Sequence, residues 1–275
     1  MVKFLAFANW LLPLLYIILL ANYGAAFFLR AGTHKRTLAL PPIIGFHLVF
    51  FSLQAIRLGY PPLVNAYDFL SVLAVSVAIV YCVVEYASRD RRTGMFVFLV
   101  VFLFQYTSSI FTAHTLSESS SFNLVAQSNW ARLHIVPAVF AYTGFTFSAV
   151  YGLLHLAVQH NLKRHRLGLL FDRLPSLDRL GAMTWHAMLF AFVFLTVAIA
   201  TGPILFRVGS STGGSSIWDP KISTKIATGA VAWIIYLIAI AGRYWRRWPP
   251  TRISRIAVNG FLFIMAMFII SLILT

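Results

Sequence analysis

The chain has 275 residues, of which 60% are hydrophobic and only 11% charged. Its mean hydropathy of +0.81 exceeds what a soluble core of this size can hide, so lipid must serve as solvent. The net charge of +15 reads as a topology signal and an attraction to anionic lipid rather than a nucleic-acid surface, and the single cysteine, Cys82, excludes a disulfide, a Cys-x-x-Cys redox pair and a c-type haem attachment site.

In chain order, apolar stretches run from Phe4 to Leu29, Leu38 to Ile56, Phe69 to Ala87, Met95 to Ala113, Leu133 to Val158, Met183 to Phe206, Ile226 to Ala241 and Ile256 to Leu274. Most are near the roughly 20 residues that a hydrocarbon core about 30 Å thick requires. Backbone groups inside lipid must be satisfied within the segment, and these runs are far longer than the alternating strands of a barrel. The fold class is therefore all-α, a polytopic bundle of about eight transmembrane helices. The first run is too long for a signal-peptide core and is expected to be retained as a helix. With no long loop, residues 1–275 read as a single membrane domain. The stretch from Gln159 to Gly181 is expected to be a solvated or lipid-facing basic loop, a reading favoured over a short interfacial helix opened by Pro175.

Sixteen of the 22 basic residues lie after the odd-numbered spans: Arg30, Lys35 and Arg36; Arg89, Arg91 and Arg92; Lys163, Arg164, Arg166, Arg173 and Arg179; and Arg243, Arg246, Arg247, Arg252 and Arg255. Basic residues stay on the cytoplasmic side, which puts both termini outside. On the outer side, three loops supply polar and aromatic residues: the stretch from Leu58 to Asp68, the one from Asn123 to Trp130, and the one from Arg207 to Thr224. Tyr60, Tyr67, Trp130 and Trp218 in these loops serve equally well as interfacial anchors.

No acidic or basic residue lies in the middle of a span, which argues against ion- or proton-coupled transport. Histidine is the exception. His47 sits near the centre of the second span and needs a metal, a cofactor or a hydrogen bond to another helix. His134 lies four residues after Trp130, so imidazole and indole share a face at the outer surface. Histidine beside aromatic walls and cations is what haem needs: an imidazole for iron, flat apolar surfaces for the porphyrin and positive charge for the propionates. His114, at the outer end of the fourth span, is the best second ligand, and Arg132, Arg207 and Lys221 are candidate propionate partners. His155 and His186 lie towards the inner side, while His34, His160 and His165 belong to basic inner loops.

Four motifs occur in an order that resembles the haem-handling cytochrome c assembly proteins (CcsA/CcmC-like): the stretch from Pro62 to Leu70, the stretch from Leu124 to Trp130 followed by His134, Phe194-Leu195-Thr196 with Thr201-Gly202, and Trp218-Asp219-Pro220-Lys221. The small size and Gly242-Arg243-Tyr244 resemble the eight-span group containing HemX and YpjD. The resemblance implies non-covalent haem b at the outer face of a cell inner (cytoplasmic) membrane. In it, His134 is similar to an external axial ligand, and the loop bearing Trp218 and Asp219 is similar to a tryptophan-rich platform. Two features depart from the ligase members: the Gly- and Ser-rich run from Gly209 to Ser216 lacks further tryptophans, and no histidine follows His186. Ligase catalysis is therefore not expected. A role in cytochrome c biogenesis or haem supply is, with haem, lipid and other assembly or haem-synthesis proteins as partners. The competing reading is a cofactor-free membrane scaffold or regulatory subunit that keeps the family fold.

In a variant lacking Cys82, a cysteine placed between Lys163 and Arg166 should resist a membrane-impermeant maleimide in intact cells and react after permeabilisation. Reaction in intact cells would invert the topology.

Overall fold

Hydrocarbon offers no partner to a backbone amide, and each apolar run answers by forming a helix. The computed structural model describes residues 2–29, 37–63, 65–115, 129–165, 168–211 and 220–273. Among these, the elements are α1 (Val2–Leu29), α2 (Leu40–Leu58), α3 (Ala66–Ser88), α4 (Gly94–Thr115), α5 (Asn129–Lys163), the short α6 (Leu169–Arg173), α7 (Leu177–Ser211), α8 (Pro220–Trp245) and α9 (Pro250–Ile273). All but α6 are long and apolar enough to cross a membrane. The eight expected spans are all present, and all but the second are longer than the apolar run because the helix continues into polar flanks; α2 has the expected length, shifted two residues along the chain. The chain is a multi-pass membrane protein.

The stretch from Gln159 to Gly181 is less of a loop than expected, since α5 runs on to Lys163, α6 occupies Leu169–Arg173 and α7 begins at Leu177. Pro175 opens no separate short helix. It follows α6, and Ser176 then starts α7, its carbonyl accepting from Leu180 N at 3.0 Å and its hydroxyl from Arg179 N at 3.4 Å. A serine cap just before the first helical residues supplies acceptors that the opening turn otherwise lacks.

Two compact units result, Met1–Gln127 and Ser128–Thr275. In the first, α1 packs on α2 and α4, and α3 on α2 and α4. Its centre is aromatic: Tyr23 stacks on Phe98 with centroids 4.8 Å apart, and Tyr81 meets both rings edge-on. In the second, α5 lies against α7 and α9, and α8 against α7 and α9. Gly144 permits the α5 to α7 approach, since a Cβ there would lie 2.9 Å from the Ala191 Cβ and 3.1 Å from the Ala187 carbonyl. Stacking of Phe145 on Tyr236, centroids 4.1 Å apart, joins α5 to α8.

A polar chain runs through the first unit, and a proline sets its direction. Pro13 lies inside α1 and has no N–H to give the Asn9 carbonyl one turn earlier. The Ser109 hydroxyl, from α4, donates to that carbonyl instead at 2.8 Å. With its hydrogen so used, Ser109 Oγ accepts from Gln105 Nε2 at 3.0 Å. Gln105 Oε1 therefore faces Ser71 and accepts from its hydroxyl at 2.9 Å. Ser71 Oγ can then only accept from His47 Nε2, 2.9 Å away. This leaves Nδ1 to accept from the Tyr16 hydroxyl at 2.8 Å. All four helices contribute, and His47 is neutral with its proton on Nε2.

Ser71→Ala strands both the His47 N–H and the Gln105 amide oxygen. Unsatisfied buried groups cost about 1–3 kcal/mol each, so the thermal midpoint in detergent should fall by several degrees. Ser52→Ala should change little, because the exposed Ser52 hydroxyl bonds only the Leu48 carbonyl of its own helix. Equal midpoints for the two variants would refute the chain.

Candidate functional site

His134 sits on α5, three residues before Pro137, in the second unit. Opposite it, α7 carries Ala198, Thr201, Gly202 and Pro203. Each proline withholds a helical donor: Pro137 from the Leu133 carbonyl and Pro203 from the Ile199 carbonyl. The two helices thus meet where both backbone ladders are interrupted. His134 Nδ1 lies 2.9 Å from the Ala198 carbonyl oxygen and 3.5 Å from Thr201 Oγ1. A carbonyl can only accept, so Nδ1 carries a proton, and in the neutral ring Nε2 then carries the lone pair.

Among the described residues, Nε2 has no hydrogen-bond partner. Gly202 lies against the ring's edge, where a Cβ would make an ordinary contact 3.6 Å from Cε1. The Thr201 hydroxyl donates to the carbonyls of Val197 and Ala198, both at 3.0 Å. It braces the receiving turn and leaves the imidazole N–H as its own bond. One turn inward on α7, Phe194 meets Phe140 of α5 at 5.1 Å and Phe190 at 4.6 Å, an apolar wall below the histidine. On the next face, Trp233 of α8 donates to Thr196 Oγ1 at 3.0 Å and stacks on Phe192.

The other expected site residues are described to different extents. His47 belongs to the first unit, is fully buried, and has both ring nitrogens occupied by hydroxyls; of its alternatives, the hydrogen-bonded one has the geometry. Arg132 is exposed on α5. His114, Trp130 and Arg207 lie on α4, α5 and α7, but their side chains, like that of Lys221 on α8, fall outside the described ones. Trp218 and Asp219 lie wholly outside the described residues. Of the two histidines expected towards the inner side, His155 is buried with Nδ1 3.1 Å from Ser254 Oγ of α9, whereas His186 is exposed.

Two clusters escape a reading by residue type. Glu85 counts as an inner-loop charge in the sequence, yet it lies in the last turn of α3 and is only 4% exposed. Tyr23 donates to its Oε2, and Thr37 N donates to its Oε1 at 2.6 Å. Arg91, also buried, bonds Asn22 and lies 5.2 Å from the centroid of the Tyr23 ring. Beyond it, Asp90 receives Arg92 Nε and Nη2 at 2.9 and 2.6 Å, which raises the guanidinium pKa above its ordinary value. At the other end of the unit, Asn65 caps α3 by accepting from Tyr67 N at 3.2 Å, and Asp68 in its first turn accepts from Gln54 Nε2 at 3.2 Å. Only the pairing of a capping Asn with an Asp three residues later hinted at this second cluster.

The chain has relatives among known proteins. The family model described as cytochrome C assembly protein matches residues 63–275. Among curated relatives, a cytochrome c biogenesis protein CcsA of Chlamydomonas reinhardtii is 23% identical over 74% of this chain and 56% of its own length, so the chain spans little more than half of that protein. Protein HemX of Brevibacillus brevis is 25% identical over 80% of this chain and 78% of its own. The inner membrane protein YpjD of Escherichia coli K12 is 22% identical over 70% of this chain and 69% of its own. No solved structure matches the chain. The resemblance read from the motifs, including the group containing HemX and YpjD, is borne out.

Proposed function

Because the chain belongs to the cytochrome c assembly protein family, we propose that it handles haem in a cytoplasmic membrane, assisting cytochrome c biogenesis or haem supply, with both termini on the outer side. The observation that carries this reading is the His134 Nδ1 bond to the Ala198 carbonyl. Histidines that ligate metals almost always give their other N–H to a carbonyl, carboxylate or water, which fixes the tautomer and raises ligand basicity. The residues present fit haem in three respects: a histidine with a free Nε2 lone pair, the apolar wall of Phe140, Phe190 and Phe194, and the exposed cation of Arg132. Haem supplies an iron centre that accepts axial nitrogen ligands and two carboxylates that want cationic partners.

In this reading His134 binds at Nε2 and stays oriented by Ala198. Arg132 and Arg207 face propionate charge, and His114 is the second ligand by its position at the outer end of α4. Trp130, Trp218 and Asp219 complete the outer surface, as the family resemblance implies. His47 serves the core. The Gly- and Ser-rich run before Trp218 leaves a reduced platform, which suits retention or transfer of haem b better than attachment to an apocytochrome.

His134→Ala should lose most of the bound haem in a pyridine haemochrome assay, and any remainder held by His114 should show a shifted spectrum. His165→Ala should match the wild type, because His165 is exposed in the inner loop. Equal occupancy and identical spectra in folded wild type, His134→Ala and His114→Ala/His134→Ala would reject the site and favour a cofactor-free scaffold.

A further inference from the structure

At the inner ends of α5 and α9, away from His134, the two helices enclose a cationic cleft. They touch backbone to side at Gly152, where a Cβ would come within 3.1 Å of the Ser254 carbonyl. Two turns further, Gln159 Nε2 donates to Thr251 Oγ1 at 2.7 Å and pins them again. Beyond that pin lies a cavity of about 490 Å³ lined by Lys163, Pro249, Thr251, Arg252 and Arg255. Three cations face it, and among the described residues no carboxylate lines it. Arg252 is positioned by its guanidinium lying 4.0 Å from the centroid of the Trp248 ring. Thr251, already accepting from Gln159, keeps its own hydrogen for an incoming oxygen.

A second cavity of about 450 Å³ continues from the first, sharing Lys163 and Arg255, and is lined by Leu153, Leu156 and Ala157. Leu153 lies ten residues before Lys163 on the same helix, about 15 Å along its axis, and is 57% exposed. One concave surface thus passes from cationic at the helix ends to apolar within the span. We propose that it binds a phospholipid with an anionic headgroup. The phosphate would lie among Lys163, Arg252, Arg255 and the Thr251 hydroxyl, and an acyl chain would lie along Leu153 and Leu156. A free phosphate would use only the upper half. A zwitterionic lipid would bring a cation into a site that holds no anion to receive it.

Trp248, beside Arg252, is the reporter, and the difference between full-length protein and its Trp248→Phe variant isolates its fluorescence. In phosphatidylcholine vesicles, phosphatidylglycerol brominated in its acyl chain should quench that signal at about tenfold lower mole fraction than brominated phosphatidylcholine does. Lys163→Gln/Arg255→Gln should abolish the preference, whereas Arg89→Gln/Arg246→Gln, with the same charge loss elsewhere, should keep it. Inorganic phosphate at matched ionic strength should not displace the brominated lipid. Equal quenching by the two lipids, a preference that survives Lys163→Gln/Arg255→Gln, or full displacement by inorganic phosphate would each overturn the proposal, the last in favour of a free-phosphate site.

Discussion

A polar group surrounded by lipid must take its partner from the protein, and in this chain that constraint decides what each buried histidine can do. The Asn9 carbonyl, left without a donor by Pro13, accepts from Ser109. From that end the hydrogen atoms are assigned one after another to His47, whose two nitrogens are thereby consumed. His134 meets the same constraint with a backbone carbonyl and only one of its nitrogens. The first histidine is a structural strut between helices. The second keeps Nε2 without a hydrogen-bond partner among the described residues, as the proposed ligand role requires.

Proline is the shared device. Pro13, Pro137 and Pro203 each lie inside a long helix, where a proline in water would mostly cost stability. Inside a bundle, the carbonyl that a proline frees becomes an acceptor for a neighbouring helix, or marks a turn whose ladder is open enough to receive a side chain. Thr201 acts on the receiving turn of α7, where its hydroxyl braces the carbonyls of Val197 and Ala198. Asn65 and Asp68 do comparable work at the start of α3, capping the helix and tying it to α2 through Gln54. Where the motifs that carry the family resemblance fall among the described residues, at Asn65 and Asp68, His134, Thr196 and Thr201, they are places where helices are capped or exchange polar bonds.

The spans were legible because the bilayer demands a length of apolar chain that nothing else in such a sequence explains, and only their ends moved, as helices run on through polar flanks. His134 was legible through Trp130 four residues earlier. The group that orients it was not, since Ala198 contributes a carbonyl and leaves no trace in its side chain. His47 plainly needed a partner, but Tyr16, Ser71 and Gln105 come from three other helices, and no spacing along the chain reports contact across a bundle. Glu85 read as a loop charge for a related reason: a carboxylate in the last turn of a helix looks solvated until Tyr23 and Thr37 are seen to close over it.

The central claim is that His134 keeps its proton on Nδ1 and offers Nε2. Solid-state ¹⁵N NMR of histidine-labelled protein in lipid bilayers, with His134 assigned by the resonance missing from a His134→Gln sample, reads the tautomer directly in the absence of haem. The account predicts a neutral ring with protonated Nδ1 and a bare Nε2. A proton on Nε2, or an imidazolium at neutral pH, would contradict it.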